Sequence, residues 1–164
     1  MKLYPYQQKI INEFNGKSCA IYYDMGLGKT FIGSELAIQS LPCLIVCQAS
    51  KIDDWIKHIN ENYPYKTVVN LRKENAVADF YVINYDLLHR RNLPKNCTLL
   101  LDESQYIKNA SAKRTKVIMK YKPKRVILLS GTPCGGKYEE LYTQLKLLGM
   151  KTNKKQFIDD YCIY

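Results

Sequence analysis

The sequence predicts an α/β fold with a mainly parallel sheet, and three observations carry that expectation. Six apolar, β-branched or aromatic runs recur along the chain, helical patterns stand between them, and several of the runs are apolar nearly throughout. Strands buried on both faces of a parallel sheet have that composition, and alternating β and α elements layer helices against such a sheet. The strand candidates are residues 18–23, 43–47, 67–70, 80–84, 98–102 and 125–130.

The first helix pattern, residues 30–40, follows directly on a glycine-bearing turn. The second, residues 50–62, opens with Ser50 and Asp53, a capping-box-like start in which Asp stands in for the usual Glu or Gln. Residues 112–120 are basic and read as a surface helix. In residues 138–148 the apolar side chains fall at 138, 141, 142, 145 and 148, a helical stripe that Gly149 closes.

The chain has 164 residues, room for a single domain with a sizeable core, and its 46% hydrophobic and 24% charged residues are those of a soluble globular protein. No apolar run approaches the roughly 20 residues that span a bilayer, and the N-terminal stretch lacks a signal-peptide core. The expectation is a cytoplasmic, monomeric protein with no membrane partner. Lys and Arg outnumber Asp and Glu by 25 to 15, a net charge of +10 that suits a polyanionic partner such as nucleic acid. Six cysteines, at 19, 43, 47, 97, 134 and 162, form no C-x-x-C pair, and His58 and His89 lie far from any cysteine pair, so they read as buried reduced thiols.

Chemistry gathers at three strand ends. After the first strand comes Asp24-Met25-Gly26-Leu27-Gly28-Lys29-Thr30 and then a helix, the context that makes a phosphate loop credible. Gly26 and Gly28 let backbone N–H groups close on phosphate oxygens, and the helix end adds its free N–H groups and positive dipole. Lys29 would reach the β- and γ-phosphates of ATP, and Thr30 would offer its hydroxyl to Mg²⁺. Tyr23 stands where the strict pattern G-x-x-x-x-G-K-[ST] has its first glycine. The strand 98–102 delivers Asp102 and Glu103 to the sheet edge: one carboxylate to hold the Mg²⁺ water shell, the other to orient or deprotonate the attacking water. The strand 125–130 ends in Ser130-Gly131-Thr132-Pro133, again with small hydroxyl residues.

In this order the residues resemble the first motor domain of a superfamily 2 helicase of the Swi/Snf-like branch. Leu3-Tyr4-Pro5-Tyr6-Gln7 resembles the opening L-x-P-Y-Q, whose Gln reads the adenine edge, and residues 24–30 resemble D-x-M-G-L-G-K-T, one residue shorter before Met25. Residues 44–50 with Trp55 resemble the L-I-V-x-P-x-S…W segment that tracks a nucleic-acid backbone, and Val82-Ile83-Asn84-Tyr85 resembles a later T-Y contact. Asp102-Glu103-Ser104-Gln105-Tyr106-Ile107-Lys108-Asn109 is similar to D-E-x-H-x-I-K-N. Residues 129–133 match the L-[ST]-G-T-P coupling motif, with Glu139-Glu140-Leu141-Tyr142 after it resembling E-E-L-W. Gln48 replaces the usual Pro, and Gln105 replaces the usual His.

The resemblance implies a three-layer RecA-like P-loop domain over residues 1–164, with helices on both faces of the sheet. It implies an ATP-hydrolysing motor with Mg²⁺, in which Gln7, Met25, Gly26, Leu27, Gly28, Lys29 and Thr30 bind nucleotide and Thr30 and Asp102 hold the metal. Glu103, Lys29 and Gln105 would be catalytic, and Ser130, Gly131 and Thr132 would couple the site to nucleic acid. Ser50, Lys51, Asn84, Tyr85, Lys108 and Asn109 are the candidate nucleic-acid contacts, with Lys113, Arg114 and Lys116 as a basic face that equally fits a solvated helix. DNA is expected over RNA. Family members carry a second RecA-like domain whose arginines complete the ATP site; it must come in cis or in trans, and residues 1–164 alone are expected to hydrolyse ATP slowly or not at all. A free-standing nucleotide-dependent binding module remains open. A P-loop kinase is disfavoured by Asp102-Glu103 together with Ser130-Gly131-Thr132.

Overall fold

The computed structural model describes residues 3–162, which form one six-stranded sheet, parallel at every pairing. The strands are β1 (Cys19–Tyr22), β2 (Cys43–Cys47), β3 (Val68–Asn70), β4 (Phe80–Asn84), β5 (Thr98–Asp102) and β6 (Arg125–Ser130), in the spatial order β1-β6-β5-β2-β4-β3. Four of them occupy the expected spans; β1 and β3 are shorter. Their side chains alternate between two cores, as a period of two requires. Cys43, Ile45 and Cys47 face one core with Ile127 and Leu129, while Leu44 and Val46 face the other with Val126 and Leu128.

Helices cover both faces. The first core is closed by α1 (Pro5–Glu13), α2 (Lys29–Ile38) and α3 (Ile52–Asn62) through Ile10, Ile32, Leu36, Trp55 and Ile59. The second is closed by α4 (Lys113–Lys120) and α5 (Tyr142–Leu147) through Ile118 and Leu147. A further helix, α6 (Lys154–Tyr161), is capped by Asn153, whose Oδ1 accepts the Gln156 N–H at 2.9 Å, and packs Phe157 inward. Neither α1 nor α6 was expected, since each buries only one to three side chains and its apolar period is faint.

Two helix starts differ from expectation. Ser50 makes no cap; it lies exposed in a 3₁₀ turn (Ala49–Lys51), and α3 begins afterwards with Asp53 and Asp54 in its first turn, where the helix dipole favours them. The pattern from Tyr138 opens as a 3₁₀ turn (Tyr138–Leu141) before α5, and Gly149 then leaves the helix at φ +105°.

One close approach fixes how the nucleotide-side helix sits on the sheet. A Cβ at Gly33, inside α2, would meet Leu129 Cδ1 at 2.7 Å and Leu100 Cδ1 at 3.2 Å. The missing side chain lets α2 lie directly on β5 and β6. Behind it, Arg125 is 3% exposed and donates to the carbonyls of Phe14 (2.9 Å), Lys17 (2.7 Å) and Leu36, near the carboxyl ends of α1 and α2. A cation there meets helix-end carbonyls that have no partner within their own helices.

Candidate nucleotide site

The strand order brings together what the sequence keeps apart. β6 lies between β1 and β5, and β2 flanks β5. The loop after β1, Ser130 at the end of β6, Asp102 at the end of β5 and the turn after β2 therefore stand in a row along the carboxyl edge, where α/β sheets bind ligands.

In the loop after β1, Gly26 and Gly28 take φ values of +82° and +71°. At Gly28 a Cβ would also collide with Gln7 Nε2, so glycine suits both the turn and the packing of Gln7 on it. Gly28 is the N-cap of α2 and supplies no side-chain cap, leaving the first N–H groups of the helix for an anion. Lys29 Nζ donates to the carbonyls of Tyr23 (2.8 Å) and Asp24 (3.0 Å), two of its three protons. Gln7 is buried, and its Oε1 accepts the Tyr4 N–H at 2.9 Å; Tyr6 donates to the Leu27 carbonyl at 3.0 Å. The first bond caps α1, and the second fastens it to the loop.

A cleft of about 380 Å³ is lined by Met25, Gly28, Lys29, Thr30, Asp102 and Glu103, among others. It runs into a second hollow of about 310 Å³ lined by Leu3, Tyr4, Tyr6, Gln7, Leu27 and Phe31. The first offers amides, an ammonium and carboxylates; the second offers aromatic and apolar walls. That donor set fits a polyphosphate with a metal ion in the cleft and a flat ring beside it. Thr30 and Asp102 are the residues that would hold Mg²⁺. The rim is apolar: Met25 is 86% exposed, and Tyr4, Tyr6, Leu27 and Phe31 are also exposed.

Asp102 is set from two sides. Trp55 Nε1 donates to its Oδ2 at 2.9 Å, and the buried Tyr85 hydroxyl donates to its carbonyl at 2.6 Å. Burial raises the Asp102 carboxyl above its ordinary pKa, and Glu103 adds to this, while the Trp55 bond and Lys29 oppose it. Glu103 adopts φ +51°, a left-handed conformation that turns the chain sharply out of β5 into a 3₁₀ turn, Ser104–Ile107.

Three polar bridges tie this turn to the loop after β6. Gln105 Nε2 donates to Glu103 Oε2 at 2.8 Å, while its Oε1 accepts from Ser130 Oγ at 2.7 Å, which in turn accepts the Thr132 N–H at 3.0 Å. Gln144, fully buried in α5, accepts from Ser104 Oγ and from Tyr22 (2.9 Å) and donates to the Pro133 carbonyl (2.8 Å). Glu140 accepts the Gly135 N–H and pairs with Lys108 at 3.1 Å; the Gly135 amide first, then Lys108, hold its carboxyl below the usual range. Gln105 thus joins Glu103 to Ser130. Gln144 and Trp55 carry site contacts that spacing does not reveal, because each acts across strands.

The expected nucleic-acid contacts divide. Ser50, Lys51, Lys108 and Asn109 are exposed, Lys51 paired with Asp54 at 2.9 Å and Lys108 with Glu140. Asn84 and Tyr85 are 6% and 2% exposed, and Tyr85 is committed to the Asp102 carbonyl. The end of β4 and the 3₁₀ turn that follows it (Tyr85–Arg90) bury them, so neither presents a surface to a phosphate chain. Tyr85 stacks on Tyr106 (5.2 Å between rings), and Arg114 lies over Tyr106 and donates to its carbonyl, so this part of the basic face is structural. All six cysteines are free thiols, five of them buried; burial pushes the Cys47 thiol up to about 12.

A parallel sheet with a phosphate loop, a strand-end Asp-Glu pair and a hydroxyl-bearing loop between them defines a P-loop ATPase fold of the RecA-like kind. Residues 10–159 match the model of the SNF2-related domain, and the chain belongs to that family. A homolog of SWI/SNF-related matrix-associated actin-dependent regulator of chromatin subfamily A-like protein 1 from Caenorhabditis elegans is 32% identical over 98% of this chain and 26% of its own length. The mouse (Mus musculus) DNA annealing helicase and endonuclease ZRANB3 is 32% identical over 79% of this chain and 14% of its own. The chain thus spans about a quarter or less of these curated relatives. Among solved structures, the Sulfolobus solfataricus SWI2/SNF2 ATPase core in complex with dsDNA superposes with a TM-score of 0.89 at 23% identity, over 98% of this chain and 39% of that one.

Proposed function

We propose that this chain is the ATP-binding first half of a DNA-dependent motor, holding ATP with Mg²⁺ and awaiting a second RecA-like domain in cis or in trans. The observation that carries the reading is the row formed by Lys29 at the start of α2, Ser130 at the end of β6 and Asp102–Glu103 at the end of β5, brought together because β1, β6 and β5 are adjacent. The Gly28–Thr30 turn and the first amides of α2 bind the phosphates, and Lys29 exchanges a loop carbonyl for a phosphate oxygen. Mg²⁺, when bound, neutralises charge on the phosphates. Glu103, steered by Gln105, orients the attacking water and takes its proton. Duplex DNA is the favoured polyanion, given the +10 charge, a relative that is a DNA annealing helicase, and a similar ATPase core solved on dsDNA. Ser50, Lys51, Lys108 and Asn109 are the exposed residues that would meet its backbone.

Calorimetric titration of the wild-type chain and of Lys29→Ala with Mg·ATP tests the nucleotide site. Binding is expected for the wild type and at least a tenfold loss for the variant. Equal binding by the two would refute the assignment.

A further inference from the structure

The chain has a single tryptophan, Trp55, and the structure puts it where the sequence does not. The resemblance assigns its segment to a nucleic-acid track, but the side chain is 2% exposed and points the other way. Helix α3 leaves the end of β2, and β2 pairs with β5, so the first turns of α3 pass beside the carboxyl end of β5. From there the indole N–H reaches Asp102 Oδ2 at 2.9 Å. The ring itself is held: His58 meets it edge-on at 5.9 Å, and His58 is pinned by Ser34 Oγ at 2.9 Å and by Phe31 at 4.7 Å. Both Trp55 and Phe31 line the cleft.

We infer that Trp55 is a positioning residue for the metal carboxylate: its indole N–H fixes one oxygen of Asp102 so that the other is presented to the cation in the cleft. The inference rests on the nucleotide reading above. A donor behind a ligating carboxylate sets its rotamer, and loss of such a partner typically costs about 10–100-fold in metal affinity. The indole N–H is donor only, so Asp102 Oδ2 is the acceptor in this bond. Tyr85 fixes the Asp102 carbonyl from the far side, which leaves carboxylate rotation as the freedom that Trp55 removes. The role is separate from phosphate binding, since Trp55 makes no contact with the Gly28–Thr30 turn among the hydrogen bonds described.

The test uses ADP with and without Mg²⁺, read by calorimetry and by tryptophan emission, which belongs to Trp55 alone. Trp55→Phe keeps an aromatic ring and removes the N–H. It is expected to bind metal-free ADP as the wild type does and to lose about tenfold of the added affinity that Mg²⁺ confers. In the wild type, Mg²⁺ added to the ADP complex is expected to change the emission, and Asp102→Ala is expected to abolish that change. A folded Trp55→Phe with its Mg²⁺ increment intact, or an equal loss of metal-free ADP binding, overturns the inference. If Trp55→Phe does not fold, the emission arm decides: an unresponsive wild type that nonetheless gains affinity with Mg²⁺ overturns it. A wild type that binds no ADP at all sinks the nucleotide reading and this inference together; an intact wild type with an unaffected variant sinks this one alone.

Discussion

Arg125 carries a charge into the core with carbonyls rather than a carboxylate around it. Arg125→Met would take the donor from the carbonyls of Lys17 and Leu36, while Phe14 keeps the Lys17 N–H at 3.0 Å; each unsatisfied buried acceptor costs about 1–3 kcal/mol. The expected loss is about 2 kcal/mol or more by denaturant unfolding, with Arg125→Lys recovering part of it because a single ammonium nitrogen cannot span acceptors spread around a planar guanidinium. His58 supplies a pH dependence. Burial lowers its pKa from 6.5, with Glu61 and Glu35 opposing, and Asn62 Nδ2 donates toward its Nδ1 at 3.3 Å, which suits the neutral ring. The unfolded chain therefore takes the proton more readily. The stability held by neutral His58 is complete above pH 6.5 and is lost as pH falls from there toward the lower folded value. Melting temperatures compared between the wild type and His58→Gln across that window should converge as pH falls; parallel curves would refute the role. Residues whose chemistry is local in sequence, such as Lys29, Thr30, Asp102 and Glu103, are legible without a structure. Trp55, Tyr85 and Gln144 are not, since each acts on a partner 17 to 122 positions away that only strand order brings near.

At the scale of elements, α2 is the piece whose placement matters most, and Gly33 sets it. Gly→Ala inside a helix ordinarily gains about 0.5–1 kcal/mol. Here the new methyl would stand 2.7 Å from Leu129 Cδ1 in a closed core, and overpacking costs about 1–3 kcal/mol. Gly33→Ala should therefore destabilise the fold and weaken ADP binding by tilting the loop that α2 carries; a more stable variant with unchanged affinity would show that the contact relaxes freely. The strands were legible because burial on both faces writes continuous apolar runs, four of them to the residue. Helices α1 and α6 were not, because their stability comes from Pro5, the Asn153 cap and docking of a few side chains rather than from a long apolar stripe. The start of α3 misled for a related reason: Ser50 has the chemistry of a cap, yet the chain spends that position on a 3₁₀ turn that leaves it exposed.

For the whole molecule, the proposed role as half of a motor bears on turnover. An arginine supplied by a second domain is typically worth about 10³–10⁵ in rate. Residues 1–164 alone should therefore bind Mg·ATP yet turn it over slowly, with little response to duplex DNA, single-stranded DNA or RNA. A DNA-stimulated turnover that Lys29→Ala abolishes, measured on these residues alone, would defeat this. DNA association itself should weaken steeply with salt, in proportion to the phosphates engaged. The sequence shows the sheet's chemistry but hides its wiring, and the three bridges from residues 103–108 to residues 130–135 are where the wiring lies. They act like rungs of a ladder with one foot in the cleft at Glu103 and the other at the surface at Lys108. Glu140 is shared between the Gly135 amide and Lys108, so anything that drew Lys108 away would leave that outer rung held by the amide alone.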